Sequence, residues 1–423
     1  MHSSTLCLIL PIGMDKHPNM GPNMSDEPSN TDLTADQASA DQALEQPRKR
    51  IDELDQEIQT LVTERALCAL TVAKIKKQHQ LSGHDSASRS TDASSLTNDS
   101  SSTDDSTQYF RPEREAQVLK KVMERNKGPI DDESMARLFR QIMSCCLALE
   151  QQLKIAFLGP EGTFTQEAAV KHFGDSVKTI PLGTIGEVFR EVAAGAANFG
   201  VVPVENSSEG IVNTTLDAFS NYDLRICGEV ELRIHQNLLI SETTKPNHIT
   251  RIYSHPQSLG QCRQWLDAHW PQVERHAVSS NADAAKRIQS EWHAAAIAGD
   301  MAAEIYGLTK LAEKIEDNPN NTTRFLIIGR QELKPSGDDK TSIIVSTPNA
   351  PGALFRLLAP FSDADISLTR IETRPSRDDM WGYVFFIDFL GHESDAAVQS
   401  VFEKIRADVV DLRCLGSYPR AVL

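Results

Sequence analysis

The chain has 423 residues, of which 40% are hydrophobic and 24% charged, and it carries a formal net charge of −16 at pH 7. This balance is typical of a soluble protein of two to four domains, and it argues against nucleic acid or an anionic membrane as a partner. No apolar run approaches the roughly 20 residues that span a bilayer. The seven cysteines form no Cys-x-x-Cys pair, which favours reduced thiols in a cytoplasmic protein without a bound metal.

Two segments have compositions typical of disorder. Residues 1–46 carry seven acidic side chains and one lysine, and residues 82–108 contain fourteen Ser or Thr among 27 residues. Segments with so few apolar side chains cannot bury a core. We therefore predict a disordered N-terminal extension over 1–46 and a disordered insert over 82–108.

A helical region is predicted over 47–152, on either side of that insert. Its first helix runs from about residue 48 to 79, because apolar residues recur there at steps of three and four. A second helix begins at Pro112, and a third spans about 132–152 and is predicted to bury Leu138 and Leu149. Arg65 stands within the apolar stripe of the first helix, where a charge needs a partner or a ligand. The alternative is a plain coiled coil whose Arg65 reaches solvent.

The sequence Arg-Pro-Glu-Arg-Glu at 111–115 resembles the motif of all-helical chorismate mutases. The resemblance implies an all-α domain in an interlocked dimer, with Arg48 reaching the site from the other protomer. It implies catalytic roles for Arg65, Lys76 and Glu150, and substrate contacts by Arg48, Arg114 and Glu115. Two positions depart from the family: Glu150 stands where a neutral amide serves the ether oxygen, and Arg111 stands at an acidic position.

From residue 153 to 330 short apolar strands alternate with helices, which predicts an α/β domain. Strands predicted at 154–158, 200–204, 252–254 and 294–298 each end in a polar turn, where open α/β sheets bind ligands. Thr163 with Gln166 fits a capping box, so the helix that follows can offer free N–H groups to an anion. The alternative is an ordinary turn between strand and helix.

The segment 321–325, Asn-Thr-Thr-Arg-Phe, is predicted to be a loop that leads into an apolar strand. Its Arg324 has a forked cation suited to a carboxylate, and its Thr323 has a hydroxyl that can donate a proton in general acid catalysis. The alternative is a surface loop without a chemical role.

Four motifs in order over 154–330 resemble those of prephenate dehydratases: Gly-Pro-Glu-Gly-Thr-Phe (159–164), Val-Pro-Val-Glu-Asn-Ser (202–207), Ser-His-Pro-Gln (254–257) and Thr-Arg-Phe (323–325). The resemblance implies two α/β subdomains around a cleft, in the manner of periplasmic binding proteins. It implies that Thr323 protonates the departing hydroxyl and that other residues bind the substrate, namely Thr163, Asn206, Ser207, Gln257 and Arg324. For Arg324 the alternative role is to anchor the loop, and for His255 a structural role stands beside that of a general base.

After a polar linker at 331–340, residues 341–423 are predicted to form an α+β domain of order βαββαβ. Two segments in it resemble the phenylalanine-binding motifs of ACT domains. The resemblance implies an allosteric phenylalanine site made by Gly352, Ala353, Leu354, Glu372, Thr373, Arg374 and Pro375. The alternative is a module that serves only dimerisation.

Taken together, the predicted domains resemble the family of bifunctional chorismate mutase–prephenate dehydratases. The resemblance implies conversion of chorismate to prephenate and then to phenylpyruvate, inhibition by phenylalanine, a homodimer or higher homo-oligomer, and no metal or organic cofactor. Two alternatives remain open. One is arogenate dehydratase activity, and the other is a phenylalanine-sensing protein with an impaired mutase domain.

Overall fold

The computed structural model describes residues 30–87, 110–375 and 383–422. Within them the chain divides between Thr63 and Glu64 into two compact units. The predicted disorder of residues 1–29 and 88–108 falls outside the described residues.

The first helix, α1 (Asn30–Ala87), extends beyond the predicted bounds at both ends. Residues 30–46 and 82–87 are therefore helical, and their predicted disorder is wrong. Ala, Gln and Leu recur over 30–46, and these residues favour a helix even where no core can form. The part of α1 that belongs to the first unit has apolar side chains that are exposed in the single chain: Ile51, Leu54, Ile58 and Leu61.

Two further helices, α2 (Pro112–Arg125) and α3 (Asp132–Glu150), follow. Asp131 caps α3 by accepting a hydrogen bond from the backbone N–H of Ser134 at 2.8 Å. The buried face of α3 is the narrow one that carries Ala136, Arg140, Ser144 and Cys146. Leu138 and Leu149 are exposed, so their predicted burial is wrong. The narrow face packs against the α/β region, where Gln141 accepts a hydrogen bond from the backbone N–H of Asp175.

The α/β region consists of two sheets with helices between the strands. Its first elements are β1 (Lys154–Leu158), α4 (Phe164–Phe173), β2 (Lys178–Leu182), α5 (Ile185–Ala193), β3 (Phe199–Asn206), β4 (Gly210–Ile211), α6 (Asn213–Asn221) and β5 (Arg225–Arg233). The next are β6 (Asn237–Ile240), β7 (Arg251–Ser254), α7 (Pro256–Gln261), α8 (Arg263–His269), β8 (Glu274–Ala277), α9 (Asn281–Ile288), β9 (Ala294–Ala298), α10 (Asp300–Tyr306), β10 (Thr309–Ala312) and β11 (Thr322–Gly329). A short 3-10 helix spans Pro246–His248.

The strand order explains why a cleft forms between the sheets. The first sheet runs β2-β1-β3-β11-β5, with β4 on β3, and the second runs β10-β6-β9-β7-β8. The chain therefore leaves the first sheet after β5, builds the second sheet, and returns as β11 to lie antiparallel between β3 and β5. This return brings the segment after residue 320 to the junction of the two sheets.

The last region forms a third, four-stranded antiparallel sheet. Its elements are β12 (Asp339–Thr347), α11 (Ala353–Asp363), β13 (Leu368–Pro375), β14 (Tyr383–Leu390), α12 (Ala396–Arg406) and β15 (Asp411–Pro419), with strand order β13-β14-β12-β15. Both helices cover one face of the sheet. The other face packs on the first sheet, because Ile344, Phe386, Leu415 and Tyr418 share one core with side chains of β3, β5 and β11.

Candidate active sites

The first candidate site is a cavity of about 390 Å³ between the two sheets of the α/β region. The turns that follow β1 and β7 line it, together with the end of β3, the start of β11 and the start of α9. Its polar lining includes four residues that the sequence predicted, and two that it did not: Thr163, Asn206, Gln257, Thr323, Gln236 and Asn281.

Thr323 lies in strand β11, and the prediction that its segment is a loop is wrong. Its Oγ1 accepts a hydrogen bond of 2.8 Å from Nδ2 of Asn206. The Asn206 amide is oriented by its other end, since Oδ1 accepts from the backbone N–H groups of Ser208 and Glu209 at 2.9 and 3.1 Å. Thr323 has no acceptor for its own hydroxyl proton among the described residues. Its proton is therefore available to a molecule in the cavity.

Asn321 joins the two sides of this cavity. Its Oδ1 accepts from Nδ2 of Asn206 at 2.9 Å, and its Nδ2 donates to Oε1 of Gln261 on α7 at 3.1 Å. Asn321 is buried, so these bonds form in a low dielectric, where satisfied polar groups rigidify their surroundings. Sequence reasoning included Asn321 in the motif but gave it no role.

Ser207 positions β11 and does not line the cavity. Its hydroxyl accepts from the backbone N–H of Thr322 at 3.0 Å, and its own N–H donates to the Thr322 carbonyl at 2.9 Å. This corrects its predicted contact with substrate. The reason is that β3 ends at Asn206, and Ser207 lies in the turn beyond it, where it bonds to β11.

Arg324 faces away from the cavity, and the prediction that it binds substrate is wrong. Its side chain is 11% exposed and donates to Glu229 at 2.8 Å and to Asp388 at 2.6 Å. A third bond of 3.1 Å goes to the hydroxyl of Tyr418. Because Thr323 and Arg324 are consecutive in a strand, only one of them can face the cleft.

The turn after β1 also differs from its prediction. Thr163 donates its hydroxyl to the Leu158 carbonyl at 3.1 Å, and Gln166 accepts from the Gly162 N–H at 2.6 Å. The predicted capping box is therefore wrong, although Thr163 lines the cavity at the start of α4.

On the side of the second sheet, hydrogen bonds between amide and hydroxyl groups fix the side chains that line the cavity. Ser258 accepts from Nε2 of Gln236 at 3.0 Å and from Nδ2 of Asn281 at 2.8 Å. Gln236 lies between β5 and β6, and Asn281 begins α9. Neither stands in a pattern that sequence reasoning could use. His255 accepts from the Gln257 N–H at Nδ1, which caps α7 and puts the proton of the neutral ring on Nε2.

The second candidate site is a cavity of about 440 Å³ among α2, α3 and the part of α1 that follows Thr63. It brings together five residues that the sequence predicted for one site: Arg65, Lys76, Arg114, Glu115 and Glu150. Three cations facing one cavity suit an anionic ligand with more than one carboxylate. Arg111 lines the same cavity. Arg48 lies on α1 and is exposed, and its contribution from a second protomer stays a prediction.

Glu115 is paired inside the protein with Arg140, a residue that sequence reasoning missed. The two side chains are 3.2 Å apart, and NH1 of Arg140 also donates to the Lys171 carbonyl near the end of α4 at 2.8 Å. Burial raises the pKa of Glu115, and the Arg140 charge opposes that shift. Arg140 was missed because its face of α3 has no apolar pattern.

Glu150 stands at the end of α3 on the rim of this cavity. Burial raises the pKa of its carboxyl above the ordinary value, and the nearby Lys76 charge lowers it in part. The protonated acid is the only form of this side chain that can donate a hydrogen bond.

The predicted phenylalanine-binding residues lie in two places in the last region, namely at the start of α11 and near the end of β13. Gly352, at φ +77°, precedes α11, which Ala353 and Leu354 open. Glu372 and Thr373 lie in β13, which is an edge strand and ends at Pro375. Arg374 contacts Asn213 and Asp217 of α6. For all seven residues phenylalanine binding stays a prediction.

No cluster of three or more His, Cys, Asp or Glu side chains in the described ranges is arranged to hold a metal ion. None of the helices that the structure describes is both long and apolar enough to cross a membrane.

Comparison with known proteins places each region in a family. A family model of prephenate dehydratase matches residues 155–333, one of chorismate mutase type II matches 47–151, and one of the ACT domain matches 341–407.

The chain is 62% identical over 386 residues to a bifunctional chorismate mutase/prephenate dehydratase of Stutzerimonas stutzeri, covering 91% of this chain and 100% of that one. It is also 62% identical to the protein of the same name from Pseudomonas aeruginosa, over 89% of this chain and 97% of that one. Among solved structures, prephenate dehydratase from Arthrobacter aurescens in complex with L-Phe is similar, with 35% identity and a TM-score of 0.60 over 64% of this chain and 90% of that chain.

Proposed function

This chain belongs to the family of bifunctional chorismate mutase/prephenate dehydratases, and from that premise we propose how its two cavities divide the two reactions. The chain is an enzyme of phenylalanine biosynthesis with both activities. The helical cavity rearranges chorismate to prephenate. The cavity between the two sheets then converts prephenate to phenylpyruvate.

The hydrogen bond between Asn206 and Thr323 carries the assignment of the second reaction. In that reaction the ring carboxylate leaves as CO₂, and the electron pair of the broken bond makes the ring aromatic as the C4 hydroxyl departs. Thr323 donates its proton to that hydroxyl, which leaves as water. Asn206 already donates to Oγ1 of Thr323 at 2.8 Å, so it stabilises the negative charge that develops there. Solvent then returns the proton to Thr323.

The side chain of prephenate keeps a carboxylate, and Arg324 does not face it. Neither lysine nor arginine is among the described residues that line this cavity. We therefore assign the anion to amide and hydroxyl groups and to the N–H groups at the start of α4, after Thr163. Gln257 and Asn281 supply amides on the opposite wall.

In the helical cavity Arg65, Lys76 and Arg114 hold the two carboxylates of chorismate. Glu150, in its protonated form, donates to the ether oxygen whose bond to carbon breaks. Arg140 holds Glu115 in place, so that one carboxylate oxygen of Glu115 is fixed at the cavity wall to accept from the ring hydroxyl. No atom of the protein bonds covalently to the substrate in this rearrangement.

Residues 341–423 act as an ACT domain that binds phenylalanine and inhibits the dehydratase. Their order of β12, α11, β13, β14, α12 and β15 supports the βαββαβ arrangement, and so does the family match. The proposed boundaries are 47–152 for the mutase and 153–330 for the dehydratase. The linker, predicted at 331–340, ends two residues earlier, because β12 begins at Asp339. The free cysteines of the described residues support a cytoplasmic location.

The test is a pair of assays on the purified full chain and its Thr323→Val variant. The variant should lose dehydratase activity by about 10²- to 10⁴-fold, because a positioned proton donor is removed. Its mutase activity should stay unchanged. Thr322→Val is the matched control, since among the described residues the Thr322 hydroxyl donates only to the Asn320 carbonyl.

A Thr323→Val enzyme that forms phenylpyruvate at the normal rate would remove Thr323 from the mechanism. The same assay on arogenate separates the two dehydratase substrates. A wild-type chain that turns over arogenate and leaves prephenate untouched would contradict the proposed substrate.

A further inference from the structure

The end of β3 and the start of β11 contribute two adjacent pairs of residues, and the side chains of the two pairs lie on opposite faces of the sheet. Asn206 is the register partner of Thr323, and Glu205 is the register partner of Arg324. Paired residues of antiparallel strands share one face of the sheet, and the next pair takes the other face. The first pair therefore lines the cavity, and the second lies directly behind it.

On the face of β11 that is turned away from the cavity, Arg324 donates hydrogen bonds to side chains of three other strands. It donates to Glu229 of β5, to Asp388 of β14 and to the hydroxyl of Tyr418 of β15. The Asp388 carboxylate also accepts from Ser342 of β12 at 2.6 Å. Two of the three side chains that orient Arg324 thus belong to the third sheet, far from it in the chain.

Glu205 meets the same sheet at a different strand. Its carboxylate lies 3.3 Å from Nε of Arg370 on β13, whose side chain is only 12% exposed. Nε and NH2 of Arg370 are buried and lack a well-aligned hydrogen bond. The charges of Arg370 and Glu205 therefore attract each other across β13 and the end of β3 without an aligned hydrogen bond.

The charges behind the catalytic pair balance. Three carboxylates (Glu205, Glu229 and Asp388) face three cations (Arg324, Lys340 and Arg370), and Lys340 donates to Glu229 at 2.7 Å. Glu205 is 40% exposed, whereas the other five side chains are largely buried. Removing Glu205 therefore takes the ion pair from a buried Arg370, and removing Arg324 takes a partner from two buried carboxylates, which is far more costly than losing an exposed ion pair. The cluster consequently resists independent movement of the third sheet and of the ends of β3 and β11.

We propose that Arg324 and Glu205 are positioning residues for the dehydration. Through them β13 and β14 set the distance and angle between Asn206 and Thr323. This inference rests on the proposed function. It also names the route by which a ligand bound to residues 341–422 changes the dehydratase site, because movement of β13 or β14 pulls on the residues next to the catalytic pair.

The test compares three substitutions in the full chain: Glu205→Gln, Arg370→Gln and Arg324→Lys. Each should lower kcat of the dehydratase by about 10- to 100-fold, as misplacement of a proton donor does, while KM for prephenate changes less than about twofold. Mutase activity should be unchanged. Phenylalanine should inhibit each variant less completely than the wild type.

The Glu205→Gln, Arg370→Gln double variant supplies the measure of coupling. It should be no slower than either single variant, because both substitutions remove one contact. The matched control is Arg413→Gln, which removes contacts of β15 to the carbonyls of Phe219 and Tyr222 without touching β3 or β11.

Equal loss of kcat in Arg413→Gln and in the three variants would show that the contacts merely stabilise the packing of the third sheet, and would overturn the inference. Normal kcat and normal inhibition in Glu205→Gln and Arg324→Lys would overturn it as well. Wild-type enzyme and Thr323→Val are run in the same assay. An inactive wild type rejects the proposed function and this inference with it, whereas an active wild type with unaffected variants rejects the inference alone.

Discussion

Glu150 makes the mutase reaction depend on pH. Its carboxyl must be protonated to donate to the ether oxygen, and burial raises its pKa above the ordinary value, with Lys76 opposing. The protonated fraction falls as pH rises through that raised pKa. We therefore expect mutase kcat to be highest on the acidic side and to fall as pH increases.

The measurement is mutase kcat from about pH 5 to 9 for the wild type and for Glu150→Gln. A glutamine donates a hydrogen bond at every pH, so the profile of the variant should be flatter. Parallel decline of both profiles would assign the titration to another group. The dehydratase activity of both proteins serves as a control for folding at each pH.

At the scale of elements, α1 presents an apolar stripe that the single chain leaves open. The exposed fractions of Ile51, Ile58 and Leu61 are 55%, 56% and 63%. Their spacing by seven and three puts them on one face of the helix. A row of this kind favours pairing with the same helix of a second copy.

We expect Ile58→Glu with Leu61→Glu to weaken self-association by about tenfold or more, as the loss of central apolar contacts does. The mutase should lose activity with it, because Arg48 is predicted to act on the second copy. Light scattering after size exclusion gives the mass. Gln56→Glu, on the opposite face of α1, is the control, and a monomeric wild type would contradict the prediction.

At the scale of the whole molecule, the third sheet completes the core of the dehydratase region. Ile344, Phe386 and Leu415 are buried against that region, with Tyr418 fully covered beside Arg324. Each such side chain contributes about 1.5–3 kcal/mol when buried. A chain that ends at Leu333 would expose the apolar surface that they cover.

We therefore expect the chain truncated at Leu333 to have a lower Tm than the full chain and to bind an apolar dye. Its dehydratase activity should fall together with its stability, so phenylalanine inhibition is better tested with point variants. Thermal unfolding of both chains, with the dehydratase assay, checks this. An equal Tm and equal activity would show that the dehydratase region is independent of the third sheet.

The sequence by itself determined the classes of the regions and many of their elements. The strands at Lys154–Leu158 and Ala294–Ala298 have their predicted bounds. Such predictions succeed because apolar spacing reports a local property, namely which side of an element is covered. The motifs likewise placed Asn206 and Thr323 in one cavity. Asn206 stands at the end of one apolar run and Thr323 just before another, and the sequence shows where both runs end.

Only the tertiary structure decided where neighbouring side chains point and what they meet. A start of β11 at Thr322 sends Arg324 away from the cleft, and a shift of one residue reverses every direction in a strand. The partners of Arg324 and Arg140 lie 25 to 95 positions away, in elements whose packing no local pattern reports. For that reason the partners of Arg324 and Arg140 escaped prediction, whereas the helix that carries Arg140 did not.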